Sequence, residues 1–118
     1  MATRKPGLGP QLRTIDEVHE RLGLSYAEIA ASLGSDEVVL DQWRAGAPVP
    51  ASAFTRLAEL RAFAGELART FGHASDERAW LDRPLAALGH RSPRALIQAG
   101  EVDSLTSMLY ALNAGIPA

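Results

Sequence analysis

The stretch Ser25-Tyr26-Ala27-Glu28-Ile29-Ala30-Ala31-Ser32-Leu33-Gly34, with Leu40 and Trp43-Arg44-Ala45-Gly46 after it, decides how this chain is read. Ser25-x-x-Glu28 has the form of a capping box, in which a hydroxyl and a carboxylate satisfy two orphan backbone donors at a helix start. Ile29, Ala30 and Leu33 then face inward, and Gly34 closes the helix. A third helix spans about Asp36 to Ala45, with Val39, Leu40 and Trp43 apolar. Gly46 and Pro48-Val49-Pro50 stop it. In a helix-turn-helix the second helix needs a small residue where the third crosses it. The turn needs a residue that accepts the left-handed conformation, and the third helix needs apolar residues that lock it on the second. Ala30, Gly34, Leu40 and Trp43 meet those needs in that order. An ordinary three-helix cluster is the competing reading.

Working outward, Thr14-x-x-Glu17 again has capping-box form and predicts a first helix from near Thr14 to Gly23, with Ile15, Val18 and Leu22 on one face. Downstream, the pattern predicts a long helix over Ala53 to Phe71, capped by Ser52 and roughly 30 Å long at about 1.5 Å per residue. Leu57, Leu60, Ala64, Leu67 and Phe71 give it one apolar stripe, and Phe54 and Phe63 a second. That helix reads as core, or in part as a dimer seam. Gly72-His73-Ala74 breaks it. Ser75 caps a short helix with Asp76 and Glu77 in its first turn, carrying Trp80 and Leu81. Pro84 opens a short turn ending at Leu88-Gly89. Ser92-Pro93 pairs an N-cap with proline at the first helical position, and Gly100 ends the helix it starts. A last helix covers about Glu101 to Asn113, with Val102, Leu105, Leu109 and Leu112 on one side. No alternating run supports a strand, so the fold class is all-α.

The chain has 118 residues, 47% of them hydrophobic, and no cysteine. That length suits one domain or two very small ones, with a core that needs neither disulfide nor metal. Without cysteine there is no disulfide scaffold, thiolate zinc site or thiol nucleophile. The composition fits a reducing cytosol, so a cytoplasmic location is expected. No apolar run approaches the ~20 residues of a membrane helix, and the N-terminus lacks a secretory apolar region. His19, His73 and His90 have no metal-ligand spacing, and no phosphate-binding glycine loop or nucleophile–base pattern is present. No metal, cofactor or enzymatic activity is expected. The net charge of −2 is unevenly spread: residues 1–13 hold Arg4, Lys5 and Arg13 and no acid, whereas residues 14–46 hold seven acids against Arg21 and Arg44.

The segment from Ser25 to Gly46 resembles the Xre-type helix-turn-helix. The string Trp80-Leu81-Asp82-Arg83-Pro84-Leu85-Ala86-Ala87-Leu88-Gly89-His90-Arg91-Ser92-Pro93-Arg94-Ala95-Leu96-Ile97, with Gly100-Glu101 and Asn113-Ala114-Gly115 beyond it, resembles the toxin-binding domain of the Xre/MbcA/ParS antitoxin family. Both halves occur in the family's order over about residues 14–116. The resemblance implies a non-catalytic antitoxin paired with a RES-domain toxin, an enzyme that depletes NAD by attacking its nicotinamide–ribose bond. It implies that the C-terminal domain blocks the toxin's NAD-binding cleft. It also implies complexes holding several copies of each partner, a homodimer or larger hetero-oligomer, that often repress their own operon. The corresponding divisions are a flexible basic arm at 1–13, a helix-turn-helix domain with the long connecting helix at 14–72, and a toxin-binding domain at 73–118. A stand-alone dimeric transcriptional regulator is the alternative.

On this reading the toxin-facing residues are Arg91, Ser92, Pro93, Leu96, Gly100 and Glu101, with the terminal run Leu112, Asn113, Gly115, Ile116, Pro117 and Ala118. A proline-restricted tail enters a cleft at low entropic cost. Arg91 and Arg94 suit carboxylates or a phosphate subsite. The candidate DNA contacts are Glu37, Val38, Gln42 and Arg44 on the third helix, with Arg4, Lys5 and Arg13 from the arm. Gln42 can pair with adenine and Arg44 can touch phosphate, but Asp36, Glu37 and Asp41 would repel a duplex.

Overall fold

The structure is a computed structural model and describes residues 10–115. Its elements are α1 (Pro10–Leu22), α2 (Tyr26–Ser32), α3 (Glu37–Arg44), α4 (Ala51–Thr70), α5 (Ala74–Leu81), a single 3-10 turn (Ala86–Leu88), α6 (Pro93–Gln98) and α7 (Val102–Asn113). The described chain is all-helical, as expected, apart from one antiparallel bridge between Leu85 and Arg91.

Two of the expected caps form, at Ser25 and Ser92, and Asp36 adds a third that the spacing does not mark as a cap. Glu28 N donates to Ser25 Oγ at 3.0 Å while Ser25 N donates to Glu28 Oε1 at 2.8 Å, which completes the capping box of α2. Asp36 caps α3 through Val39 N at 2.9 Å. Ser92 accepts from Ala95 N at 3.2 Å, with Pro93 at the first helical position of α6. Three other expected starts are displaced. α1 begins at Pro10, because proline suits a first turn where its missing N–H would have no partner anyway. Thr14 therefore lies inside the helix and is buried, and residues 10–13 of the expected arm are helical. α4 starts at Ala51 behind an extended Pro50, leaving Ser52 within the helix. α5 starts at Ala74 behind an extended His73, so Ser75 caps nothing.

The long helix α4 is the axis of the fold. It packs against α1 on one side and along α7 on the other, while α2 packs on α3 and α6. Ala53, Leu57, Leu60, Phe63 and Leu67 of α4 are buried against Ile15, Val18 and Leu22 of α1 and Val102, Leu105 and Leu109 of α7 within one cluster. The second stripe of α4 thus splits. Phe63 joins the chain's own core, tilted 6.5 Å from Trp80, whereas Phe54 stays 48% exposed. Trp80 also meets Phe71 at 5.8 Å and is only partly buried.

Leu112 departs from the expected α7 stripe and is 59% exposed. Asn113, though exposed, is the residue that turns toward α4 instead. Its amide donates to Glu66 Oε1 at 3.2 Å and its carbonyl oxygen accepts from Thr70 Oγ1 at 3.2 Å, fixing the end of α7 to α4. A residue directly before it on the helix must point elsewhere, about 100° around.

Candidate functional site

The α2–α3 pair has the features that its spacing demanded. Ala30, Leu40 and Trp43 are buried. Gly34 holds φ +74, and a Cβ there would lie 3.1 Å from Arg56 Nη1. The outward face of α3 carries Glu37, Val38, Asp41 and Gln42, with Val38 at 67% exposure. Arg44 is not among them. It folds back to Asp16 Oδ1 at 2.9 Å, and its guanidinium sits 4.4 Å from the centre of the Tyr26 ring. Tyr26 donates its hydroxyl to Asp16 at 2.8 Å, and burial followed by that bond raises its pKa. On the ring's other contact, His19 stacks at 4.1 Å and donates from Nδ1 to Leu24 O at 2.7 Å. Arg44 therefore ties α1, α2 and α3 together, and its guanidinium is engaged within the chain. Arg13 is exposed on α1. Arg4 and Lys5 lie outside the described residues.

In the C-terminal half, Arg91 is exposed. Its Nε donates to Leu88 O at 3.3 Å and its Nη1 lies 3.5 Å from Glu101 Oε2. Ser92 is spent on capping α6. Pro93 and Leu96 are buried in this chain, Leu96 within its core cluster. Gly100 holds φ +80, and a Cβ on it would come within 3.0 Å of Arg56 Nη1 and 3.7 Å of Ser32 O. Arg56 of α4 is thereby flanked by two left-handed glycine turns, Gly34 and Gly100. Gly115 is exposed with φ +76. Ile116, Pro117 and Ala118 lie outside the described residues. Tyr110 is 62% exposed beside Leu112 and was not singled out from the sequence. The signal was available, since Tyr110 falls off the Val102–Leu105–Leu109 stripe.

The two halves are joined by a charge network with Glu28 as its node. Arg94 Nη1 donates to both Glu28 oxygens at 3.1 Å, Arg94 Nε donates to Asp82 Oδ1 at 2.7 Å, and Gln98 Nε2 donates to Glu28 Oε2 at 2.6 Å. Burial pushes the Glu28 carboxyl upward, but the Ser25 amide, Arg94 and Gln98 outweigh it and hold the carboxyl below its usual range. Burial likewise lowers Arg94, and its two carboxylates overcome that and raise it. Arg94 is thus occupied inside the chain rather than open to a phosphate. A second tie joins α1 to α5: the fully buried Glu77 accepts from Arg21 Nε at 3.0 Å and Nη2 at 2.6 Å. Among the described residues no group of three His, Asp or Glu could hold a metal ion, and no helix is long and apolar enough to cross a membrane.

No family model matches the chain. It is 29% identical over 111 residues to the mycobacterial cidal antitoxin MbcA of Mycobacterium tuberculosis, a match spanning 93% of this chain and 97% of the relative. The MbcA of Mycobacterium bovis matches to the same extent. Its likeness is to an antitoxin. A chain in the crystal structure of the M. tuberculosis MbcT–MbcA toxin–antitoxin complex superposes with a TM-score of 0.70 at 28% identity, covering 94% of this chain and 100% of that one. The likeness thus runs through both halves of the fold, from α1 to α7, and is not confined to the α2–α3 pair.

Proposed function

We propose that this chain is an antitoxin that binds a RES-domain, NAD-degrading toxin and neutralises it by covering its active-site cleft. The observation that carries the reading is the whole-length likeness to MbcA, in sequence and in fold. A likeness limited to α2–α3 would have suited any small regulator. The toxin-facing surface in this reading is the 73–118 region: Arg91 and Glu101 at the start of α6 and α7, the exposed Tyr110 and Leu112 at the end of α7, and the tail beyond Gly115. The chain acts by occlusion and performs no chemistry, needs no cofactor, and works in the cytoplasm as part of a larger hetero-oligomer. The test is co-expression in a bacterial host with a RES-domain toxin. Growth and cellular NAD are expected to recover, and removal of residues 113–118 is expected to weaken the rescue. Undiminished NAD loss in the presence of the full chain would defeat the reading.

A second role, repression of its own operon through α2–α3, is favoured by the geometry at Ala30, Gly34, Leu40 and Trp43. The acidic outer face of α3 weighs against strong binding by one copy. The 1–13 arm supplies phosphate contacts in this reading, and assembly with the toxin supplies avidity.

A further inference from the structure

Between α5 and α6 the chain makes a small closed loop. Leu85 N donates to Arg91 O at 3.1 Å, His90 N donates to Leu85 O at 2.9 Å, and Gly89 N donates to Ala86 O at 3.1 Å. Leu88 is partly buried against the core and anchors it. The tip is two successive left-handed residues, Gly89 at φ +67 and His90 at φ +66. Among the described residues His90 is the one non-glycine residue with positive φ. Glycine takes that conformation without the Cβ clash that a side chain suffers. The chain nevertheless keeps an imidazole there, exposed, with no hydrogen bond or ion pair for its ring among the described residues. A side chain held against backbone preference and unused by the fold points to use outside it. Its neighbours agree. The Arg83 side chain is exposed without a partner among the described residues, and Arg91, also exposed, has a loose contact with Glu101 at 3.5 Å and a local bond to Leu88 O at 3.3 Å.

We propose that the Arg83–Arg91 loop is a recognition finger for the toxin, with His90 at its tip as the specificity-determining contact and a carboxylate-bearing protein surface as its target. This rests on the antitoxin reading. The exposed carboxylates of Asp82 and Glu101 flank the arginines, a mixed-sign pattern that matches a protein surface better than the uniform negative charge of nucleic acid.

The experiment compares the full chain with His90→Gly and His90→Asn, both compatible with the left-handed backbone, and with Arg83→Ala. Unfolding is followed by circular dichroism, and calorimetry measures affinity for the RES-domain toxin that the chain neutralises in co-expression. His90→Gly is expected to unfold at or above the wild-type temperature while affinity falls about tenfold, and His90→Asn to lose affinity similarly. Arg83→Ala is expected to slow association and flatten its salt dependence. Wild-type affinity in both His90 variants would overturn the proposal and leave the loop a structural turn. Loss of duplex-DNA binding with toxin affinity intact would overturn it in favour of a nucleic-acid contact. Absence of toxin binding by the wild-type chain would overturn the antitoxin reading, and this proposal with it.

Discussion

Replacing Arg94 with alanine is expected to loosen the join between α2 and α6. The side chain is 22% exposed and makes two 3.1 Å bonds to Glu28 and one 2.7 Å bond to Asp82. Breaking a fully buried pair costs ~3–5 kcal/mol, chiefly because one charge is stranded. Glu28 is not stranded here: it retains the Ser25 amide at 2.8 Å and Gln98 at 2.6 Å. Asp82 lies mostly in solvent, so its bond to Arg94 adds little. The loss is therefore about 2 kcal/mol, near the value of hydrogen bonds to a charged group. For a domain of this size that lowers the melting temperature by roughly 6–12 °C. A double-mutant cycle with Glu28→Gln should give a coupling of ~1–2 kcal/mol between the two residues. The pH dependence has a definite sign. Glu28 is held below its unfolded value, so its contribution is complete above that unfolded value, near the ordinary carboxylate range, and is lost as pH falls through the lower folded value. The difference between wild type and Arg94→Ala should be constant from neutral pH to about 5 and shrink in acid. Chemical denaturation at several pH values measures it. A coupling near zero, or a difference that grows in acid, would refute the account of Glu28 as the node.

Gly100→Ala should destabilise the chain by about 1–3 kcal/mol, since it adds left-handed strain to a Cβ that would meet Arg56 Nη1 at 3.0 Å; removing the guanidinium with Arg56→Ala should relieve the clash but not the strain, so the double variant recovers only part of the loss. Leu60→Ala, at a fully buried position on α4, should cost ~2–5 kcal/mol and lower the urea midpoint with an unchanged slope.

The helix order was readable because caps and apolar spacing agreed at Ser25 and Ser92, where a side chain supplies the first backbone bond, as Asp36 also does for α3. The misplaced starts are those where no side chain does so. Pro50 and His73 enter their helices through extended backbone alone, and nearby serines then attract the assignment. Leu112 misled for a related reason, because apolar spacing cannot say that Asn113 has hydrogen-bond partners waiting on α4. The site was less legible than the fold. Arg44, Arg91 and Arg94 look equivalent as sequence, yet Arg44 and Arg94 are consumed by carboxylates and a ring more than ten residues away, and only Arg91 stays largely exposed. Long-range pairing of that kind has no local signature. The backbone of His90 has no signature in the sequence, because its positive φ is set by the closed loop around it.

Arg44 offers the sharpest test of what α3 does. If its guanidinium served a DNA phosphate, Arg44→Ala would leave folding intact and reduce the slope of log affinity against log salt by about 0.9, the contribution of one phosphate contact. The observed ties make the opposite prediction. Loss of the Asp16 bond and the Tyr26 face should cost about 1–2 kcal/mol of stability, in line with a partly exposed ion pair and a cation–π contact. The salt slope of any binding to the upstream DNA should then be unchanged. Arg13→Ala should behave in reverse, because that residue is exposed on α1: stability within about 0.5 kcal/mol of wild type, and a shallower slope if the basic arm carries the phosphate contacts. Unfolding curves and mobility shifts across a salt series separate the two. An unchanged melting temperature with a shallower slope in Arg44→Ala would show that the arginine leaves Asp16 for phosphate, and α3 would then be a DNA-facing helix despite its carboxylates.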